Sequence, residues 1–494
     1  MRLSNTRRTA VAAGMSLALI TGLTVPAEAA PNLPAKLARA VTIDNVNRHL
    51  IALQRIADTN AGNRAAGTPG HDASVGYVAG LLRASGFLVT TPEFTFDRET
   101  IDVQTLTVGG QDVVNIPFAF SPSGPEGGLT GPLVVAIGDG CEAEDYPDGA
   151  AGAIALIQRG ACTFTQKQSV AADAGALGVV IYNNVEGDLN GTLGDLDSGR
   201  VPTTAITQAA GEALVASAGA ETTLDLQITR EEVTTRNVVA QTRSGRTDNV
   251  VMAGSHLDSV EEGPGINDNG SGSAALLETA LRLGSSPKVK NAVRFAWWSA
   301  EELGLLGAED YVANLDFESR LDIAMYLNFD MIGSPNAAYF VYDGDDSDVE
   351  GAGPGPFGSA QIEKAFVDAL GRQNVPTQGT DFDGRSDYGP FIAQGIPSGG
   401  LFTGAEDVKT KAQARLWGGK ANVAFDACYH QACDNLGNVD RVALDRNSNA
   451  LATVIAQYAL STQSVNGVSP RKTRAAERAT ERTLKSEMPM AGVA

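Results

Sequence analysis

The stretch that decides the fold runs Val250-Val251-Met252-Ala253-Gly254-Ser255-His256-Leu257-Asp258-Ser259. Four apolar residues in succession, with no polar alternate, are what a strand buried on both faces requires. Two more runs of the same texture follow, Val293 to Ser299 and Ile323 to Phe329. Helical patterns alternate with them near 271–284, 302–314, 360–373 and 441–461. Strands alternating with helices predict an α/β domain: a mostly parallel mixed sheet covered by helices on both faces, with ligands gathering at the carboxyl ends of the strands.

Upstream, Ile43, Val46, Leu50, Leu53 and Ala57 make a helical stripe, and a second helix through Val75, Val78 and Leu82 stops at Gly86 before a strand-like run, Phe87 to Thr91. From about 100 to 235 the texture changes to short β-type runs punctuated by Gly, Pro and Asp, with one helix at about 164–176. This segment reads as a compact β-rich insert. The expected layout is therefore residues 31–100 and 236–463 as one α/β domain, interrupted by an insert at 101–235. A polar tail at 464–494 carries six Lys or Arg against three Glu over residues 471–487. A solvated helix, a disordered tail and a removable pro-segment all fit it.

Residues 1–30 read as a signal peptide. Arg2, Arg7 and Arg8 form its basic start, Ala10 to Leu23 its apolar centre, and Ala27-Glu28-Ala29 its cleavage region. The apolar run is too short to span a bilayer. An extracellular, soluble protein is expected. The 494 residues are 43% hydrophobic and 19% charged, ample for a core and for two or three domains. The net charge is −21, and −23 once residues 1–29 are gone, which argues against nucleic acid or an anionic membrane as partner. A monomer is expected. The four cysteines form two local pairs, Cys141/Cys162 and Cys428/Cys433, which in an exported protein read as disulfides. Zinc thiolates are the alternative, though neither pair has CxxC spacing.

Acidic and histidine residues collect where the fold predicts a ligand. His256 and Asp258 follow the first buried strand, Asp268 precedes a helix, and Glu301-Glu302 end the next strand. Asp330 ends Leu327-Asn328-Phe329-Asp330, and His430 lies between Cys428 and Cys433. Singly each has a bland reading: Asp268 as a helix cap, the Glu pair as solvated, a histidine as packing. Together, clustered carboxylates would repel one another unless a cation neutralised them. Mixed imidazole and carboxylate donors suit zinc, whereas calcium has no support in the sequence.

These motifs, His256-x-Asp258, Asp268, Glu301-Glu302, Asp330 in Asp-Met-Ile-Gly and Tyr429-His430, resemble the di-zinc aminopeptidases of the M28 family, most closely the secreted actinobacterial type. Cys141, Ile157 to Phe164 and Gly178 to Ile181 resemble a protease-associated (PA) domain. The resemblance implies one zinc on His256, Asp268 and Asp330 and a second on Asp268, Glu302 and His430. It further implies Asp258 as the carboxylate that orients His256, Glu301 as general base, and Tyr429 as hydrogen-bond donor to the developing oxyanion. Asp383-Gly384-Arg385-Ser386-Asp387-Tyr388 resembles the loop whose carbonyl, at Arg385, accepts from the substrate amine, and Phe402 resembles the base of the side-chain pocket.

The expected reaction is removal of a neutral or apolar N-terminal residue from peptides with a free amine. Carboxypeptidase or acyl-amino-acid hydrolase activity on the same scaffold is the enzymatic alternative, and it would need a basic residue near the metals, for which Arg385 is the candidate. A binding ectodomain that had lost catalysis is the non-enzymatic one, and it should lack ligands that are all present here.

Overall fold

The computed structural model describes residues 32–147, 149–349, 351, 353–467, 473, 475–476 and 478–480. The expected signal peptide lies outside the described residues, as does most of the tail. Within the α/β domain an eight-stranded mixed sheet runs, edge to edge, Leu88–Thr90, Val238–Gln241, Asn291–Trp298, Arg246–His256, Ile323–Phe329, Ser398–Phe402, Phe340–Tyr342 and Gln378–Thr380. Its four central strands are parallel, and antiparallel pairing is confined to the flanks.

The apolar runs owe their continuity to two covers. Val251, Ala253, Phe295, Trp297 and Leu327 pack into one core with helices Ile43–Asp58, Gly270–Leu283 and Arg441–Leu460. Met252, Ala296, Trp298 and Tyr326 point the other way, onto Ala308, Val312, Phe391 and Ile392 of helices Leu306–Ala313 and Tyr388–Ala393.

A second eight-stranded sheet carries the insert, with Ile154–Gln158 and Gly178–Tyr182 as parallel central neighbours. Two features differ from expectation. A second helix, Gln208–Val215, is present, started by Thr207, whose side chain accepts from Ala210 N. The boundaries near 100 and 235 also do not fall at loops. Instead Glu93–Val108 and Glu221–Arg236 pair antiparallel from Glu93↔Arg236 to Val108↔Thr222, so one ribbon runs from the α/β domain into the insert. Its polar, exposed alternation hid its length from the apolar pattern. At the ribbon's root Phe94, Phe96 and Val233 pack with Ala66, Ala300 and Leu306.

The tail is not wholly solvated. Arg478 is buried, and its guanidinium donates to the carbonyls of Arg320 and Ile323. Both expected disulfides are formed, Cys141–Cys162 and Cys428–Cys433.

Candidate metal centre

Parallel strands deliver the site from their carboxyl ends. His256 closes Arg246–His256, and Asp330 follows Phe329, the last residue of the adjacent strand. Asp268 stands just before Asn269, whose Oδ1 accepts from Gly272 N at 3.0 Å and so caps helix Gly270–Leu283. The cap role open to Asp268 is thus filled by its neighbour, and the Asp268 carboxylate turns to the site.

That carboxylate faces two imidazoles. Its Oδ1 lies 3.3 Å from His256 Nε2 and its Oδ2 3.3 Å from His430 Nε2. Asp330 Oδ1 is 3.2 Å from His256 Nε2, and Glu302 Oε2 is 2.8 Å from His430 Nε2. The groups His256/Asp268/Glu302 and His256/Glu301/Asp330 each bring their donor atoms within 4.8 Å of one another. Buried carboxylates so crowded are costly without a compensating cation. Glu302 Oε1 is buried with no hydrogen-bond partner, as a donor atom reserved for an ion would be. The imidazole and carboxylate set fits zinc.

One local expectation is corrected. The strand ends at Trp298, and Ala300 adopts a positive φ of 56°, so Glu301 and Glu302 lie in a turn rather than at an extended strand end. Both reach the cluster, Glu301 Oε2 stopping 3.8 Å from His256 Nε2. The predicted helix from 302 begins only at Leu306.

Supporting groups hold these side chains. Asp258 Oδ1 sits 3.6 Å from His256 Nδ1, and its two oxygens accept from the backbone N of Glu301 and Glu302 at 3.3 and 3.4 Å. One carboxylate thus ties the histidine to the glutamate turn. Ser386 Oγ donates to Asp330 Oδ2 at 2.6 Å. Asp434 accepts from the backbone N of Asn267 and Asp268 at 2.8 and 2.9 Å, anchoring the Asp268 turn to the Cys428–Cys433 loop. Buried Asp387, with neither oxygen hydrogen-bonded, lies in the same charge cluster. Ser386 and Asp387 lay inside a segment the sequence had singled out. Asp434, next to Cys433, and buried Arg64 carried no local signal.

The electrostatics are those of crowded, buried carboxylates and imidazoles. Burial pushes the Glu301 carboxyl well above the usual range, with Asp330, Asp387 and Glu302 adding to it against the pull of His256. Burial, reinforced by the Asp268 charge, lifts Glu302 to about 7. Burial would lower His430, but its hydrogen bonds to Asp268 and Glu302 outweigh this and raise it to about 10. Tyr429 is pushed upward by burial and stays a phenol able to donate.

A cleft of about 100 Å³ opens on the cluster, lined among others by Glu301, Asp330, Tyr342, Arg385, Phe402 and Tyr429. Tyr429 stacks on His430, and its Oη takes a 3.3 Å hydrogen bond from Arg385 Nη2. Arg385 is the only basic residue among the described residues of the lining, and its Nη1 is paired with Glu406 at 2.9 Å. Phe402 borders both this cleft and a neighbouring cavity of about 660 Å³. A separate acidic group, Asp343, Asp345 and Glu363, has Asp343 and Glu363 accepting from backbone N–H groups, and we assign it no ion.

The sequence profile of peptidase family M28 matches residues 237–455, and that of the PA domain matches residues 129–214. The chain is 48% identical over 448 residues to the probable lipoprotein aminopeptidase LpqL of Mycobacterium tuberculosis, covering 89% of each. The chain belongs to peptidase family M28. This M28 aminopeptidase is also 44% identical over 429 residues to leucine aminopeptidase 2 of Trichophyton tonsurans, covering 86% of each. Among solved structures it is similar to the aminopeptidase of Aneurinibacillus sp. strain AM-1, at TM-score 0.71 and 28% identity over 86% of this chain and 96% of that one. The zinc aminopeptidase BSAP of Bacillus subtilis matches at TM-score 0.61 and 26% identity, covering 88% and 98%. The M28 profile thus spans every residue placed in the metal cluster, and the PA profile lies within the second sheet and its helices. No helix among the described residues of this M28 enzyme is long and apolar enough to cross a membrane.

Proposed function

We propose that this M28 enzyme is a secreted di-zinc aminopeptidase that removes a neutral or apolar N-terminal residue from peptides. The observation that carries the reading is Asp268, whose two oxygens each face a different histidine at 3.3 Å, as a carboxylate bridging two ions would. His256, Asp268 and Asp330 would hold one zinc, and Asp268, Glu302 and His430 the other. All these groups come from one chain. Export is supported by the signal-like residues 1–30 and by the two disulfides.

Zinc bound there would supply Lewis acidity, acidifying a water and polarising the scissile carbonyl. Glu301, at the edge of the cluster with Oε2 3.8 Å from His256 Nε2, would take the water's proton at its carboxylate and pass it to the leaving amine. Tyr429 Oη would donate to the oxyanion. Asp258 would hold the His256 ring so that Nε2 faces the cluster. Glu301, Asp330 and the Arg385 carbonyl offer acceptors to a free amine. Phe402, Met331 and Tyr342 supply an apolar wall for the side chain.

The same lining speaks against a carboxypeptidase or acyl-amino-acid hydrolase. Asp381, Asp383, Glu406 and Asp407 line the same cleft as Arg385, the one cation among its described lining residues, and Glu406 is paired with it. A substrate carboxylate would enter an acidic cleft with no free partner. Rates on an amino-acyl chromogenic substrate and its N-acetylated form decide the matter. The free-amine substrate should be turned over and the blocked one should not; faster cleavage of the blocked form would refute the proposal.

A further inference from the structure

The segment that carries His256, Asp258 and Asp268 is held only in part by its own neighbours in sequence, through Ser259 Oγ to Gly263 O and Gly270 N to Gly265 O. Between the ligands, residues 257–265 form a loop without regular structure that turns on Gly265 at a φ of +58°. A side chain at 265 would come within 2.3 Å of the Asp268 carbonyl. Such a loop exposes backbone carbonyls that need partners. They find them in Arg64, nearly 200 positions upstream, in the turn between helices Ile43–Asp58 and Pro69–Ala84.

Arg64 is completely buried. Its Nε donates to Pro264 O at 2.9 Å, its Nη2 to Gly265 O at 2.6 Å, and its Nη1 to Leu257 O. Its backbone N donates to Ser259 Oγ at 2.9 Å, and that hydroxyl lies 3.0 Å from Gly263 O. Neighbouring Asn63 Nδ2 adds a bond to Glu261 O at 2.9 Å. One planar guanidinium therefore gathers the carbonyl after His256 and the carbonyls before Asp268 onto a single rigid fork. A fully buried arginine with all three guanidinium nitrogens donating to one loop is more than generic packing requires.

We propose that Arg64 is a positioning residue for the metal centre: it sets the spacing of His256 and Asp268, and so the affinity for zinc, without touching an ion or substrate. The inference rests on the ligand reading given above. Lysine cannot replace it, because one ammonium keeps the charge but loses the fork that spans three carbonyls. Arg64→Lys thus changes geometry while leaving the net charge behind Asp258 and Asp268 unchanged.

The test is the zinc dissociation constant, measured by chelator competition on the full-length protein, alongside the thermal midpoint of the metal-free form. The reference is Leu370→Ala, a buried core truncation on helix Ser359–Gly371 outside the centre. Arg64→Lys should bind zinc roughly 10–100-fold more weakly than wild type, the range for losing a group that orients metal ligands. Leu370→Ala should lose thermal stability but keep wild-type zinc affinity. Arg64→Lys binding zinc no more weakly than Leu370→Ala would overturn the inference and leave the ligand reading standing. A wild type that takes up no zinc would overturn both. Should Arg64→Lys fail to fold, Ser259→Ala removes one strut of the same clamp, and unchanged zinc affinity in that variant overturns the inference as well.

Discussion

Replacing each of the two adjacent glutamates by glutamine separates their roles, although the fold gives them similar surroundings. Both side chains are buried in the turn after Trp298 and both residues have their backbone N bonded to Asp258, so an isosteric amide should disturb neither packing nor turn. What differs is reach. Glu302 Oε2 is 2.8 Å from His430 Nε2 and its other oxygen is buried and unpartnered, whereas Glu301 stops 3.8 Å from the nearest imidazole nitrogen. Glu301→Gln should therefore keep two zinc ions and lose the base. The expected fall in kcat is roughly 10²–10⁴-fold, which is about 2.7–5.5 kcal/mol of barrier. On the proposed ligand set, Glu302→Gln would leave the second site with Asp268 and His430 alone. Its zinc affinity should fall by at least the roughly 10–100-fold that loss of a mere supporting partner causes, and added zinc should restore part of the activity. Metal analysis by plasma emission, with kcat at saturating zinc, reads both. Zinc lost from Glu301→Gln and kept by Glu302→Gln would reverse the roles, and two zinc ions in both variants would refute the distance argument itself.

Zinc binding near pH 7 should release protons, because metal-free His430 titrates at about 10 and Glu302 at about 7, and both must be deprotonated to bind. Affinity should accordingly climb between pH 7 and 10, and calorimetry in buffers of different ionisation enthalpy should show the release; buffer-independent heats would contradict it. Cys428→Ser with Cys433→Ser should weaken zinc binding with little change in thermal midpoint, since the bridge closes a short loop around His430; global unfolding without prior metal loss would argue for a purely structural bridge. Excising the insert between Thr100 and Thr229, which pair across the ribbon, keeps the root packed under Ala300. Hydrolysis of a small chromogenic substrate should survive better than that of long peptides, whereas equal loss on both would point to a structural role.

The apolar runs 250–253, 293–299 and 323–329 made the central sheet legible because strands buried on both faces have no polar alternate to disguise them. His256 and Asp330 were legible for the same reason, as charged groups at the ends of such strands. The turn at Ala300 was not, because its positive φ falls on a residue with no preference for it. Nor were Arg64 and Asp434 legible, since both act on the Asp268 turn from distant points in the chain and through backbone groups that any sequence would offer. The ribbon escaped notice because its outward faces carry Thr, Glu and Arg, the composition of a surface loop.

That ribbon bears on how the chain assembles. The α/β domain is split by roughly 130 residues, and bringing the ends of a flexible connection that long together costs about 4 kcal/mol of chain entropy. Glu93 and Arg236 are paired neighbours, so an insert that folds on its own presents the two halves already side by side. The effective connection then shrinks to a few residues and the closure cost falls to about 1 kcal/mol. Arg64, upstream of the break, can then meet the loop 257–265 downstream of it as though the two were close in sequence. The order of folding this favours is insert first, sheet second, and metal centre last.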